Sequence, residues 1–76
     1  MPKLSLINSG KLIRILEKLS FQKIRQKGSH VRMVHIDGRR TTIPVHAGEN
    51  VGVGLLRQIL RDTNISRSEF EKLKKK

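Results

Sequence analysis

The stretch FQKIRQKGSHVRMVHIDGRRTTIPV, residues 21–45, decides the fold because it contains three strand-like runs separated by two turns. FQKIRQK (21–27) stops at a glycine, HVRMVHI (30–36) partly alternates apolar and polar residues, and TTIPV (41–45) follows DGRR (37–40). An Asp-Gly pair between two such runs is a strong signal for a β-hairpin. We therefore predict three consecutive antiparallel strands.

Helical patterns flank the strands on both sides. Before them, an i, i+3, i+4, i+7 spacing predicts a helix over 11–19 with Ser9 as its N-cap, and its apolar residues are Leu12, Ile15, Leu16 and Leu19. After them, a glycine-rich loop (46–54), which lacks the spacing of a phosphate-binding loop, leads into a helix predicted over 52–62. The buried stripe of that helix is expected to consist of Leu56, Ile59 and Leu60.

A short third helix is predicted over 66–74. Ser66 and Glu69 have the spacing of a capping box, and Ile65 and Phe70 occupy the two positions of a hydrophobic staple. Both signals mark the beginning of a helix, so we expect this one to start at Ser66.

The resulting order, α-β-β-β-α with a small terminal helix, belongs to the α+β class. Such a domain has a three-stranded antiparallel sheet with helices packed on one face. Pro44 has no backbone N–H, so the third strand is expected at an edge of the sheet or to end there. The 76 residues suit one domain, residues 1–76, with 1–8 as a lead-in and 71–76 as a basic tail.

The charge of the chain indicates a polyanionic partner. Seventeen Lys and Arg residues against six acids give a formal net charge of +11. Nucleic acid, an anionic membrane or an acidic protein would each be attracted to such a field. No apolar run approaches the roughly 18 residues that span a bilayer, and there is no signal-peptide pattern. We therefore expect a soluble, cytoplasmic protein without a membrane partner.

The pattern of acids and histidines disfavours metal-dependent chemistry. The acids form neither a D-x-D nor an H-E-x-x-H spacing. His30, His35 and His46 show no ligand-pair signature, and there is no cysteine for a thiolate zinc site. We expect neither a metal nor a cofactor.

Acid–base chemistry needs only one well-placed group, and the GSH triplet at 28–30 contains a candidate. Histidine exchanges protons near neutral pH, and RNA contains its own nucleophile, the 2′-hydroxyl. His30 could supply the base, while Lys27 and Arg32 could hold the phosphate. From these residues alone, a hairpin turn that ends in histidine and a working site both remain open.

The order of motifs along the chain resembles the HicA (YcfA-like) family of toxins. The motifs are SGKLIRILEKLSF, IRQKGSH, DGRRTTIPVH, GLLRQIL and ISRSEF, which together span residues 9–70 in order and with compatible spacing. The resemblance implies a double-stranded-RNA-binding-domain-like α-β-β-β-α fold. It also implies the toxin of a type II toxin–antitoxin system, an mRNA interferase that cleaves RNA without a metal and is neutralised by a HicB-like antitoxin.

The resemblance also implies the site. His30 corresponds to the catalytic histidine of the family, and Gly28 and Ser29 complete its motif. Phosphate contacts are inferred from charge and nearness in sequence for Lys23, Arg25, Lys27 and Arg32. His46, in the P-x-H pattern, is the candidate for a second acid or base, with a structural role in the loop as the alternative.

Two other functions compete with the ribonuclease. The same fold could serve as a non-catalytic module that binds double-stranded RNA through phosphates and 2′-hydroxyls. Alternatively, the basic surface could serve only to bind an acidic partner protein. RNA binding without cleavage would indicate the first alternative, and the absence of RNA binding the second.

Overall fold

Eight helices and strands follow one another in the computed structural model, which describes residues 7–45 and 50–75. In chain order they are β1 (Ile7–Asn8), α1 (Ser9–Lys18), β2 (Phe21–Lys27), β3 (His30–His35), β4 (Arg40–Pro44), β5 (Asn50–Val51), α2 (Val53–Thr63) and α3 (Arg67–Lys74). The three longer strands form an antiparallel sheet in the order β2-β3-β4. The predicted α-β-β-β-α order with a terminal helix is confirmed, and β4 both lies at an edge and ends at Pro44.

One face of this sheet packs against the helices. Val31 pairs with Ile43 and Met33 with Thr41 across the strands, and all four are buried. Because directly paired residues share a face, these positions define the core side of the sheet. The apolar stripes of the helices complete the core with Leu12, Ile15, Leu16, Leu56, Ile59, Leu60 and Phe70. The helical stripes are therefore as predicted, except that Leu19 is only partly buried.

The turn between β3 and β4 begins at Ile36, one residue before the predicted DGRR turn (37–40). His35 donates its N–H to the Arg39 carbonyl over 2.8 Å, and Gly38 donates to the His35 carbonyl over 2.9 Å. The loop therefore contains three residues, 36–38, with Gly38 at φ +100°, as in a three-residue hairpin loop. Ile36, predicted as the end of a strand, lies in this loop and is 96% exposed.

The N-cap of α1 is Asn8 and not Ser9. The Asn8 side-chain oxygen accepts a hydrogen bond from the Lys11 N–H over 2.8 Å. Ser9 is the first helical residue and is buried. Asn and Ser are comparably good N-caps, so composition alone could not decide between the two neighbours.

The N-cap of α3 is Ser66, as predicted. Its hydroxyl accepts from the Glu69 N–H over 3.1 Å. Ile65 and Phe70 are both buried, which agrees with their staple positions. The predicted starts of α2 and α3 are each one residue early.

A two-stranded ladder between β1 and β5 was not predicted. Ile7 pairs with Val51, and both side chains are buried. This ladder joins the lead-in to the end of the glycine-rich loop, of which residues 46–49 lie outside the described residues.

Within the described part of the chain, no helix is long and apolar enough to cross a membrane.

Candidate nucleic-acid interface

The face of the sheet that points away from the helices, here called the outer face, is basic around His30. Lys27 pairs directly with His30, and Arg25 pairs with Arg32. Paired residues project to the same side of a sheet, and Arg32 lies between the buried Val31 and Met33 on β3. All four side chains are therefore on the outer face, and all four are exposed.

A β-bulge at Ile24 is responsible for this arrangement. Lys23 pairs with Met33, and Arg25 pairs with Arg32, the residue adjacent to Met33 on β3. Ile24 therefore has no partner on β3 and is an extra residue in β2. Simple alternation from the buried Phe21 would place Arg25 and Lys27 on the core side. The extra residue reverses the alternation and turns both cations to the outer face, which is a common use of bulges near functional sites.

A shallow depression surrounds His30 on the outer face. It is lined by Arg25, Lys27, His30, Arg32 and Thr42, and its volume is about 180 Å³. Three cations around one imidazole are suited to a phosphate group, since charge-assisted hydrogen bonds to phosphate are among the stronger ones in proteins. Thr42 pairs with Arg32 and adds a hydroxyl that was not among the predicted site residues.

The GSH triplet forms the turn that positions His30. Gly28 has φ +59°, a conformation that costs glycine little, and with Ser29 it forms a two-residue connection between Lys27 and His30. The Ser29 carbonyl accepts a hydrogen bond from the Val45 N–H. This bond links the turn to Val45, the residue that follows β4. The backbone of the GSH triplet is therefore held by β2 on one side and by the end of β4 on the other.

Two of the predicted site residues are not part of this cluster. Lys23 is exposed, but it pairs with the buried Met33 and so lies on the opposite face of the sheet from His30. His46 lies outside the described residues. His35, the other histidine of β3, is at the far end of the strand on the core side, where it pairs with Phe21.

His35 takes part in a separate cluster at the turn between β3 and β4. Its Nδ1 lies 3.0 Å from Asp37 Oδ1, and its ring packs edge-on against Phe21 at 5.1 Å. The Arg39 guanidinium donates to Asp37 Oδ2 over 2.8 Å and to the Thr63 carbonyl over 2.6 Å. The Arg39 backbone N–H, and then its side chain, hold the pKa of Asp37 below the ordinary 3.8. These contacts connect the turn to α2 and have no direct part in the His30 depression.

The sequence could have revealed two further outer-face residues. Once the hairpin register is known, Arg40 falls opposite Val34 and Thr42 opposite Arg32, which places both on the outer face.

Within residues 7–45 and 50–75, no group of three His, Asp or Glu side chains is arranged to hold a metal ion.

The fold and the outer face together define a small basic α+β domain with a surface suited to a polyanion. A family model described as the HicA toxin of bacterial toxin-antitoxin matches residues 9–65. The chain therefore belongs to the HicA toxin family, and its role is that of a toxin with an antitoxin partner. A comparison with curated proteins found no match.

Proposed function

We propose that this toxin is an endoribonuclease that cleaves mRNA without a metal ion, with His30 as its acid–base group. The observation that carries the proposal is the placement of His30 among Arg25, Lys27 and Arg32 in one depression of the outer face. A metal-free ribonuclease needs a proton acceptor and fixed positive charge at the phosphate. This depression supplies both from neighbouring strands.

The chemistry uses the nucleophile of the substrate. His30 takes the proton of a 2′-hydroxyl, and the 2′-oxygen forms a bond to the adjacent phosphorus as the bond from phosphorus to the 5′-oxygen breaks. The products are a 2′,3′-cyclic phosphate end and a 5′-hydroxyl end. The departing 5′-oxygen takes a proton from a second acid, for which His46 is the sequence-based candidate.

The cations stabilise the charge that develops on the phosphate during this step. Arg25 and Arg32 face each other across β2 and β3, and Lys27 faces His30. The paired strands fix the backbone positions from which these side chains project before the substrate binds, and fixed positive charge near the phosphate is usually a large contribution to catalysis of this kind. Gly28 adds no side chain to the turn before His30, and the space beside it is open, with no atom within 4 Å of the position of a Cβ.

Replacing His30 should remove most of the RNA cleavage. We expect purified wild-type protein to cleave RNA in EDTA and the His30→Gln variant to lose at least about 100-fold in rate, because acid–base catalysis contributes roughly 10²–10⁴-fold. His35→Gln is the matched control, since it removes a histidine from the same strand on the other face. Rates and product ends are measured by electrophoresis and mass spectrometry.

The result would contradict the catalytic proposal if both variants cleaved like the wild type or if wild-type protein bound RNA without cutting it. Binding without product would support the non-catalytic RNA-binding module. Loss of cleavage in EDTA with recovery on adding Mg²⁺ would show that the enzyme depends on a metal. Growth arrest on expression of the wild type, and not of His30→Gln, tests the same residue in cells.

We also propose that the antitoxin, a HicB-like protein, neutralises the toxin by covering the outer face. An acidic surface would complement the charge of +11. Complex formation should then block RNA binding, and a Lys27→Glu, Arg32→Glu toxin should bind the antitoxin much more weakly than wild type. Unchanged affinity would place the antitoxin on another surface.

A further inference from the structure

A second depression adjoins the His30 depression and extends it towards α2. It has a volume of about 280 Å³, and its lining includes Arg32, Arg40, Thr42, Leu55, Gln58 and Asp62. Arg32 and Thr42 line both depressions. The two depressions therefore adjoin at these residues, and one contains the histidine while the other reaches α2.

The polar groups of this second depression are held in a defined orientation. Asp62 Oδ1 accepts from Gln58 Nε2 over 2.8 Å, and Asp62 Oδ2 accepts from the Thr41 hydroxyl over 3.2 Å. An ionised carboxylate can only accept hydrogen bonds, so the amide nitrogen of Gln58 must face it. Gln58 and Asp62 both line the depression, so the Gln58 carbonyl oxygen and the remaining lone pairs of the Asp62 carboxylate are hydrogen-bond acceptors in its lining.

We propose that this depression binds one nucleobase of the RNA strand that is cut at His30, with a preference for guanine. The inference rests on the proposed function for the identity of the strand. Guanine carries two adjacent donors, N1–H and the 2-amino group, on its Watson–Crick edge. Gln58 and Asp62 can accept from both, whereas the other three bases present at most one donor group on that edge.

The surroundings of the pair suit a base with its phosphates. Leu55 is 36% exposed and offers an apolar surface to the flat side of a base. Arg32 and Arg40 line the same depression and can donate charge-assisted hydrogen bonds to flanking phosphates. A carboxylate on a phosphate-binding surface repels the RNA backbone and so lowers the overall affinity for RNA. A base that donates a hydrogen bond to Asp62 would offset this repulsion.

The test measures binding separately from cleavage. Four 2′-O-methyl RNA hexamers, which cannot be cut through a 2′-hydroxyl, carry one varied base in a uridine background, and their affinities are measured by fluorescence anisotropy. We expect the guanine hexamer to bind about 5- to 10-fold more tightly than the others. Gln58→Ala should abolish this preference. Gln22→Ala should retain it, because Gln22 is exposed but lines neither depression.

The Asp62→Asn variant shows whether Asp62 binds the base or acts only through its negative charge. If Asp62 reads the base, this variant binds all four hexamers with similar affinity. If Asp62 acts only through its charge or the stability of the fold, every affinity shifts by the same factor and the guanine preference survives, which overturns the proposal. Equal binding of all hexamers by the wild type overturns it as well.

The outcome also separates this inference from the proposed function. A guanine preference in binding, with no cleavage of ordinary RNA, would support the base site and contradict the ribonuclease. Cleavage without any base preference, in binding or in the mapped cut sites, would contradict the base site alone. When both proposals hold, the cut sites in a long RNA show guanine at one fixed distance from the broken bond.

Discussion

At the scale of single residues, Lys23 and Lys27 lie on the same strand but on opposite faces of the sheet. Lys27→Ala should weaken RNA binding and reduce the slope of log affinity against log salt by about 1, because each phosphate contact releases roughly one counterion. Lys23→Ala should change both quantities much less. Affinities measured across a salt series check this, and equal effects of the two substitutions would contradict the bulge-based assignment of faces.

Gly28 allows a second prediction at this scale. Alanine at φ +59° is strained by about 1–2 kcal/mol, while no atom lies near enough to clash with the added Cβ. We expect Gly28→Ala to lower the free energy of unfolding by about 1 kcal/mol and to reduce RNA cleavage through displacement of His30. Urea denaturation measures the first effect.

Gly54→Ala is the matched control for that measurement. Gly54 lies in the first turn of α2, and a Cβ there also meets open space. Alanine favours a helix over glycine by up to about 1 kcal/mol. The same substitution should therefore stabilise at position 54 and destabilise at position 28, and two changes of the same sign would refute the explanation.

At the scale of elements, the junction of α1 and β2 contains a strained residue. Ser20 has φ +72° directly after the C-cap Leu19, at the position where helices usually carry glycine. Ser20→Gly should raise the free energy of unfolding by about 0.5–1 kcal/mol. A lower melting temperature than wild type would show that the serine makes a compensating interaction.

The elements also show how far the sequence alone could predict the structure. The helical stripes and the three strands follow from local periodicity, which is visible in one chain. The bulge at Ile24 and the pairing of Ile7 with Val51 depend on contacts between distant segments. For this reason nearness in sequence predicts Lys23 at the site and omits Thr42 and Arg40. Lys27, His30 and Arg32 are close in sequence and also line one depression.

At the scale of the whole molecule, Arg39 connects the sheet to the helical layer. Its guanidinium lies 5.2 Å from the centre of the Phe21 ring and binds both Asp37 and the Thr63 carbonyl. The end of α2 and the β3–β4 turn are thus held together by one side chain. We expect this connection to make the stability of the domain depend on the charge of Asp37.

Asp37→Asn tests that dependence. Because the pKa of Asp37 is lowered in the folded state, its ionised form stabilises the protein above the ordinary value of 3.8, and this stabilisation is lost as the pH falls through the folded-state pKa. Asp37→Asn should therefore melt at a lower temperature than wild type at pH 7, and the difference should disappear in acid. Glu17→Gln, which removes an exposed carboxylate from α1, is the control for the loss of one negative charge.

The bulge in β2 has a consequence for the length of the chain. Lys23 and Arg25, on either side of Ile24, pair with Met33 and Arg32, which are consecutive residues of β3. The Ile24 side chain is 57% exposed. Deleting residue 24 would leave Phe21 on the core side and Lys27 opposite His30, with a continuous ladder between them. Chains that are one residue shorter in this strand can therefore keep the same basic surface, and an alignment with such chains should place its gap at position 24 and leave the turn at Gly28 intact.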